Sequence, residues 1–247
     1  MATTIDPEEI EKFSAIAAEW WDPLGKFKPL HKFNPVRLGH IRGEVCSHFE
    51  RDRFARKPLE GLKVVDIGCG GGLVSEPMAR LGADVTGIDA GEKNVKTAIA
   101  HALEQKLEID YRNTTVEELL ITEAGSFDIV LNLEVVEHVA DISLFLSASA
   151  KLLKPGGIMM TATINRTLKA LVTAKIGAEY ILRWLPAGTH DPRKFVQPTE
   201  IRAILEKAGL QVRVPVGMSY LPLLDAWRIT DDASVNYIIS SVRPALS

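Results

Sequence analysis

Cysteine is scarce in this chain: 247 residues hold two, Cys46 and Cys69. Two thiols are too few for a disulfide framework or a cysteine metal site. No apolar run reaches the roughly 20 residues that cross a bilayer as a helix. The opening M-A-T-T-I-D-P-E-E has neither an apolar core nor an arginine, so no signal or transit peptide is expected. An excess of positive charge is also missing. Lys and Arg number 29 against 32 Asp and Glu, a net charge of −3, which speaks against a nucleic-acid partner. There is no internal repeat. Apolar residues make up 46% and charged residues 25%, the composition of an ordinary soluble globular protein. These readings together predict a cytoplasmic chain.

The informative segment is Val64 to Gly72, V-V-D-I-G-C-G-G-G. A β-branched strand, closed by Asp66, runs into a glycine loop, and a helix is expected from about Leu73. Gly68, Gly70 and Gly72 supply a tight turn and a bare backbone that a ligand approaches closely. The dinucleotide fingerprint G-x-G-x-x-G needs a third glycine where Leu73 stands, and no Lys-Ser/Thr pair follows as in a phosphate loop. A second strand ends at Asp89, about 20 residues past the loop, where a carboxylate can accept both ribose hydroxyls. A ligand with adenosine but no pyrophosphate fits best, which points to S-adenosylmethionine. An NAD site with a degenerate fingerprint is the alternative.

From Lys63 onward strand and helix patterns alternate. They predict a doubly wound, mostly parallel seven-stranded sheet with helices on both faces, in a single domain spanning 1–247. The strands are expected at 63–67, 84–88, 109–113, 127–132, 158–163, 211–216 and 236–242. The helices are expected at 73–81, 92–105, 115–120, 142–153 and 198–208. Lys154-Pro155-Gly156-Gly157 reads as a helix stop and turn. Residues 1–54 form a helical N-terminal segment that can lie over the site as a lid. Residues 63–163 form the donor-binding core. Residues 165–195 interrupt the pattern.

D-I-G-C-G-G-G, G-I-D at 87–89, F-D-I-V-L-N-L-E-V-V-E-H at 127–138 and L-L-K-P-G-G at 152–157 together resemble the class I S-adenosylmethionine-dependent methyltransferases. A second set of motifs is more specific. It comprises W-W-D at 20–22, F-K-P-L-H at 27–31, N-P-V-R-L at 34–38 and E-V-V-E-H-V at 134–139. It continues with G-A-E-Y-I-L-R at 177–183, G-T-H-D at 188–191, K-F at 194–195 and V-N-Y at 235–237. Nearly the whole chain thus resembles the ubiquinone-biosynthesis O-methyltransferases. The resemblance implies methylation of catechol hydroxyls on polyprenylated rings, at two steps of that route. It places the donor contacts on Arg37, Gly68, Asp89 and Leu133. Arg37 would pair with the methionine carboxylate, although by its sequence context alone it reads as a surface helix charge. Asp66, at the end of the strand, and Gly70, in the loop itself, join the donor-binding set.

Methyl transfer is an in-line displacement, so the enzyme supplies alignment and a deprotonated nucleophile. A phenol titrates near pH 10, as tyrosine does, so a general base or a metal is needed. Glu134, Glu137 and His138 follow the fourth strand, at the sheet edge where ligands bind. If Glu134 opens a helical turn, the three share one face. Such a set suits Mg²⁺, Mn²⁺ or Zn²⁺, and the resemblance also implies a divalent cation there. His138 as a base without metal, or a solvated helix start that complements the dipole, are the other readings. His31 and His190 are candidates for substrate positioning or for ordinary loop and capping roles.

The polyprenyl tail would lie in a bilayer. Residues 165–195 carry Arg166, Lys169, Lys175, Arg183, Arg193 and Lys194 against Glu179 and Asp191, with Leu168, Leu171, Val172 and Ile176 on one helical face. This segment is expected to touch an anionic membrane surface, on the inner face of the cytoplasmic membrane. A cover helix packed on the domain is the alternative. Other enzymes of the same route are expected partners.

Overall fold

The computed structural model describes residues 3–171 and 192–245. Five strands run parallel: β1 (Lys63–Ile67), β2 (Asp84–Asp89), β3 (Asp110–Asn113), β4 (Phe127–Leu133) and β5 (Leu153–Ile164). Four more continue the sheet: β6 (Gln211–Val212), β7 (Val216–Leu221), β8 (Ala226–Thr230) and β9 (Asn236–Val242). The order is β3-β2-β1-β4-β5-β9-β7-β8, with β6 also paired to β9. From β1 the chain winds outward to β2 and β3, then returns to the other side for β4 and β5. The carboxyl ends of β1 and β4 therefore flank a topological switch point, the usual ligand crevice of such sheets.

The helices are α1 (Pro7–Ser14), α2 (Lys28–His48), α3 (Ser75–Arg80), α4 (Glu92–Glu104), α5 (Val116–Glu123), α6 (Ile142–Leu152), α7 (Leu168–Ala170) and α8 (Pro198–Lys207). A Thr-x-x-Glu capping box, Thr115 to Glu118, starts α5. Continuous apolar runs in β1, β4 and β5 bury both faces. Val65, Val130 and Met159 pack with Phe145, Leu146, Ile201 and Leu205 on one side. Val64, Ile129 and Ile158 pack with Ile41, Val45 and Met78 on the other. Helices on both faces are as expected.

The sheet has nine strands among the described residues, not the expected seven. Pro215 cannot donate to a ladder, so the strand expected at 211–216 stops at Val212. A β7–β8 hairpin, in a stretch where the sequence pattern predicts no element, adds to the edge instead. Lys154-Pro155-Gly156-Gly157 lies inside β5 rather than forming a free turn. The third helix starts at Ser75, two residues later than expected, because the glycine loop extends through Gly72. Within 165–195, the part from 172 to 191 lies outside the described residues, and so do the expected apolar helical face beyond Leu171 and His190.

Candidate active site

Three glycines carry the loop after β1 with left-handed φ: +70° at Gly68, +55° at Gly70 and +92° at Gly72. The N–H groups of Gly68 and Cys69 donate to the Ile88 carbonyl at 2.8 and 2.9 Å, which ties the loop to β2. A Cβ on Gly68 would come within 2.5 Å of Val135 Cγ2. Asp89 holds the other side. Its Oδ2 accepts from Gly70 N at 3.0 Å, and its Oδ1 accepts from Gly91 N at 2.8 Å and Asn94 Nδ2 at 3.1 Å. Burial raises its pKa, against the pull of those three donors.

Asp66 sits beneath the loop and accepts from Ser75 Oγ at 2.6 Å. Burial pushes it up to about 6, with Ser75 and Arg37 opposing. Because its folded pKa lies above the unfolded value, the folded state holds the proton more tightly. The associated stability is fully present below about pH 4 and is lost as pH rises through about 6. The stability advantage of wild type over Asp66→Asn should therefore shrink by on the order of 2 kcal/mol between those limits and stay flat above. Urea unfolding of both proteins across pH checks this, and a pH-independent difference would refute it.

Glu134 terminates β4 with φ +59° and donates its N–H to the Ala162 carbonyl at 2.9 Å. The short 3₁₀ turn that follows, Val136–His138, does not include it. The expected helical face shared by Glu134, Glu137 and His138 is thus not formed. A left-handed residue at the strand end turns the chain before the helix can start, and the three side chains find three separate partners. Glu134 Oε1 accepts from Arg37 Nη1 at 3.3 Å. Burial and then the neighbouring Glu137 charge push the Glu134 carboxyl up to about 7, against Arg37. Glu137 is buried, and its Oε2 accepts from Thr163 Oγ1 on β5 at 2.8 Å. The His138 ring pairs through Nδ1 with Glu9 Oε2 at 2.9 Å. As they stand these residues do not fit a divalent cation. No group of three His, Cys, Asp or Glu arranged to hold a metal occurs among the described residues.

Arg37 is not a surface charge: it is 3% exposed. It donates to Asn34 Oδ1 and Glu134, and its guanidinium carbon lies 5.1 Å from the Phe33 ring centroid. Nε has no protein partner. A buried cation left without its carboxylate is costly, so Arg37 and Glu134 hold each other in place.

The N-terminal segment lies directly on the loop. A Cβ on Gly70 or Gly71 would run into the Trp20 indole. Trp20 Nε1 donates to Asn94 Oδ1 at 2.9 Å, and its ring stacks on Phe27 at 3.7 Å. Trp21 Nε1 donates to the Gly71 carbonyl at 2.8 Å. Glu9 on α1 is held down at about 2, chiefly by its bond to His138 and further by Lys194.

A cavity of about 150 Å³ opens between these elements. Gly68, Asp89, Glu134 and His138 line it, with Glu9, Phe13, Trp20, Asn94 and Val135. Arg37, Asp66, Gly70, Leu133 and Glu137 do not line it, although Arg37 bonds to Glu134 and Gly70 to Asp89, which do. A second cavity, of about 350 Å³, is lined by Trp21, His31, Glu76, Arg80 and His101, among others, and contains none of the candidate catalytic residues. His31 meets the Trp20 carbonyl at 2.9 Å through Nε2. Sequence reasoning missed Glu9, Asn94 and Thr163. Glu9 is one of three glutamates in α1, and nothing in the pattern separates it from Glu8 and Glu11.

Comparison with known proteins gives a consistent result. A family profile described as a methyltransferase domain matches residues 38–213. The chain is 57% identical over 242 residues to the ubiquinone biosynthesis O-methyltransferase of Maricaulis maris (strain MCS10), covering 98% of this chain and 94% of that protein. It is 59% identical over 237 residues to the enzyme of the same name from Caulobacter vibrioides, covering 96% and 94%. Among solved structures it resembles magnesium protoporphyrin IX methyltransferase from Synechocystis PCC 6803 with bound SAH. There the TM-score is 0.57 and the identity 27%, covering 84% of this chain and 85% of that one.

Proposed function

The chain belongs to the ubiquinone biosynthesis O-methyltransferases, and from that premise we propose that it methylates catechol hydroxyls of polyprenylated ubiquinone precursors, at both O-methylation steps, with S-adenosylmethionine as donor. The observation that carries this reading is the single cavity shared by Gly68 and Asp89 on one hand and His138 on the other. The bare backbone at Gly68 and the carboxylate of Asp89 fit a nucleoside donor. When bound, the donor supplies a sulfonium methyl group and a neutral thioether leaving group. Asp89 Oδ2, which has a single protein donor in Gly70 N, keeps a lone pair for a ribose hydroxyl. His138 takes the hydroxyl proton at Nε2 as the oxygen attacks. Arg37 fixes Glu134 beside this path.

The cavity is smaller than the several hundred Å³ that such ligands usually occupy, and Glu9, Phe13 and Trp20 supply part of its wall. Helix α1 and the W-W-D segment are accordingly read as a lid that swings out to admit ligand and closes over it. The membrane reading now rests on residues 172–191. Three of the basic residues around that stretch are engaged within the molecule: Arg166 with Glu200, Lys169 with Asp232, and Lys194 with Asp6 and Glu9. Among the described residues no helix is long and apolar enough to cross a membrane.

A second reading keeps a divalent cation at Glu134, Glu137 and His138, and the mutual repulsion of the two carboxylates favours it. It requires Glu137 to leave Thr163 and His138 to leave Glu9. One experiment separates the two readings: methyl transfer to a short-chain prenylated catechol, with and without chelator, then with Mg²⁺, Mn²⁺ or Zn²⁺ added back. Transfer that survives the chelator supports His138 acting alone. Transfer that dies and returns with metal supports the cation. Tight donor binding with no transfer to any such catechol would overturn the proposed acceptor.

A further inference from the structure

We infer that Glu9 of the N-terminal helix is the positioning residue for His138, holding its ring as the Nδ1–H tautomer so that Nε2 is the proton-accepting atom. The inference rests on the reading of His138 as the base. An ionised carboxylate only accepts hydrogen bonds, so the 2.9 Å contact of Glu9 Oε2 with Nδ1 requires the proton on Nδ1. In the neutral ring the lone pair is then on Nε2. The other oxygen of Glu9, Oε1, accepts from Lys194 Nζ at 2.9 Å, and Lys194 also reaches Asp6 at 3.1 Å at the start of the same helix. The carboxylate is thus held from both sides and cannot turn away from the imidazole. One helical turn on, Phe13 sets its ring against His138 edge-on, with centroids 4.9 Å apart and planes at 82°. Helix α1 therefore fixes both the tautomer and the plane of the ring. Both Glu9 and His138 line the cavity, so the base is complete only when α1 is seated. The arrangement has the logic of a carboxylate that orients a catalytic histidine without itself taking the proton.

Glu9→Gln tests this because it is nearly isosteric. Lys194 will claim the amide oxygen, which turns the NH₂ toward Nδ1 and forces the proton to Nε2. Full-length protein labelled with ¹⁵N-histidine reads the tautomer by long-range proton–nitrogen NMR, with His138→Ala assigning the signal. The expected result is Nδ1–H in wild type and Nε2–H in Glu9→Gln. kcat should fall roughly 10- to 100-fold, with KM for the donor little changed. Glu9→Ala removes the acceptor at Nδ1, so the ring should become a mixture of tautomers and kcat should fall less than in Glu9→Gln. The same tautomer in wild type and Glu9→Gln, whatever the activity of Glu9→Ala, would overturn the assignment, since shape alone would then account for Glu9. A tautomer that inverts with kcat unchanged would support Glu9 as the group that sets the ring and overturn His138 as the base.

Discussion

His138→Ala is expected to turn over about 10²- to 10⁴-fold more slowly than wild type, the range that loss of a general base produces, with the donor dissociation constant nearly kept. A phenol near pH 10 is almost wholly protonated at neutral pH, so without a base the nucleophile is scarce. The structure makes this substitution mild for the fold. His138 is on a short 3₁₀ turn, and its main polar partner, Glu9, keeps the Lys194 ion pair when the ring is gone. His138→Gln is the control: its amide can still donate to Glu9, yet it cannot take the proton, so it should be as slow as the alanine variant. Stopped assays at saturating donor measure kcat, and isothermal titration measures donor affinity. Wild-type kcat in His138→Ala would remove His138 from the mechanism.

The second large effect is expected at Asp89. Asp89→Ala should weaken donor binding by about a hundredfold, roughly 3 kcal/mol, the upper end for one hydrogen bond from a ribose hydroxyl to a charged acceptor. The structure gives Asp89 a second task. Its carboxylate also gathers Gly70 N, Gly91 N and Asn94 Nδ2, so the substitution loosens the glycine loop that the donor must meet. Asp89→Asn should fail as well, because its NH₂ offers a donor where the loop and the ribose both present donors. Titration calorimetry reads the effect directly, and equal donor affinity in wild type and Asp89→Ala would refute the ribose assignment. The loss should appear in donor affinity, with kcat at saturating donor far less affected.

Much of this protein was legible without coordinates. The V-V-D-I-G-C-G-G-G segment, the acid at 89 and the missing glycine at 73 point to a methyl donor. Each is a local requirement: positive φ at fixed positions, a strand end, and a spacing set by one strand–helix–strand unit. The same holds for β1 to β5 and for the capping box of α5, where periodicity and turn chemistry act over a few residues. The edge hairpin was not legible. Neither β7 nor β8 is stable alone; β7 is held by β9, which arrives later in the chain, and β8 pairs in turn with β7.

The active site divides in the same way. By itself the sequence determined the fold class, the loop, and the presence of Glu134, Glu137 and His138 after the fourth strand, because those follow from local pattern. Only the tertiary structure decided what each of them faces. Glu134 turns left-handed and meets Arg37 from α2, 97 positions away; Glu137 turns inward to Thr163; and His138 meets Glu9 from 129 positions away. A carboxylate or an imidazole has no fixed role until its partner is known, and partners so distant in the chain leave no periodic trace in either segment. Hydrogen bonding among buried polar groups, which must find partners wherever the fold places them, turned a predicted cluster of three into three separate pairs.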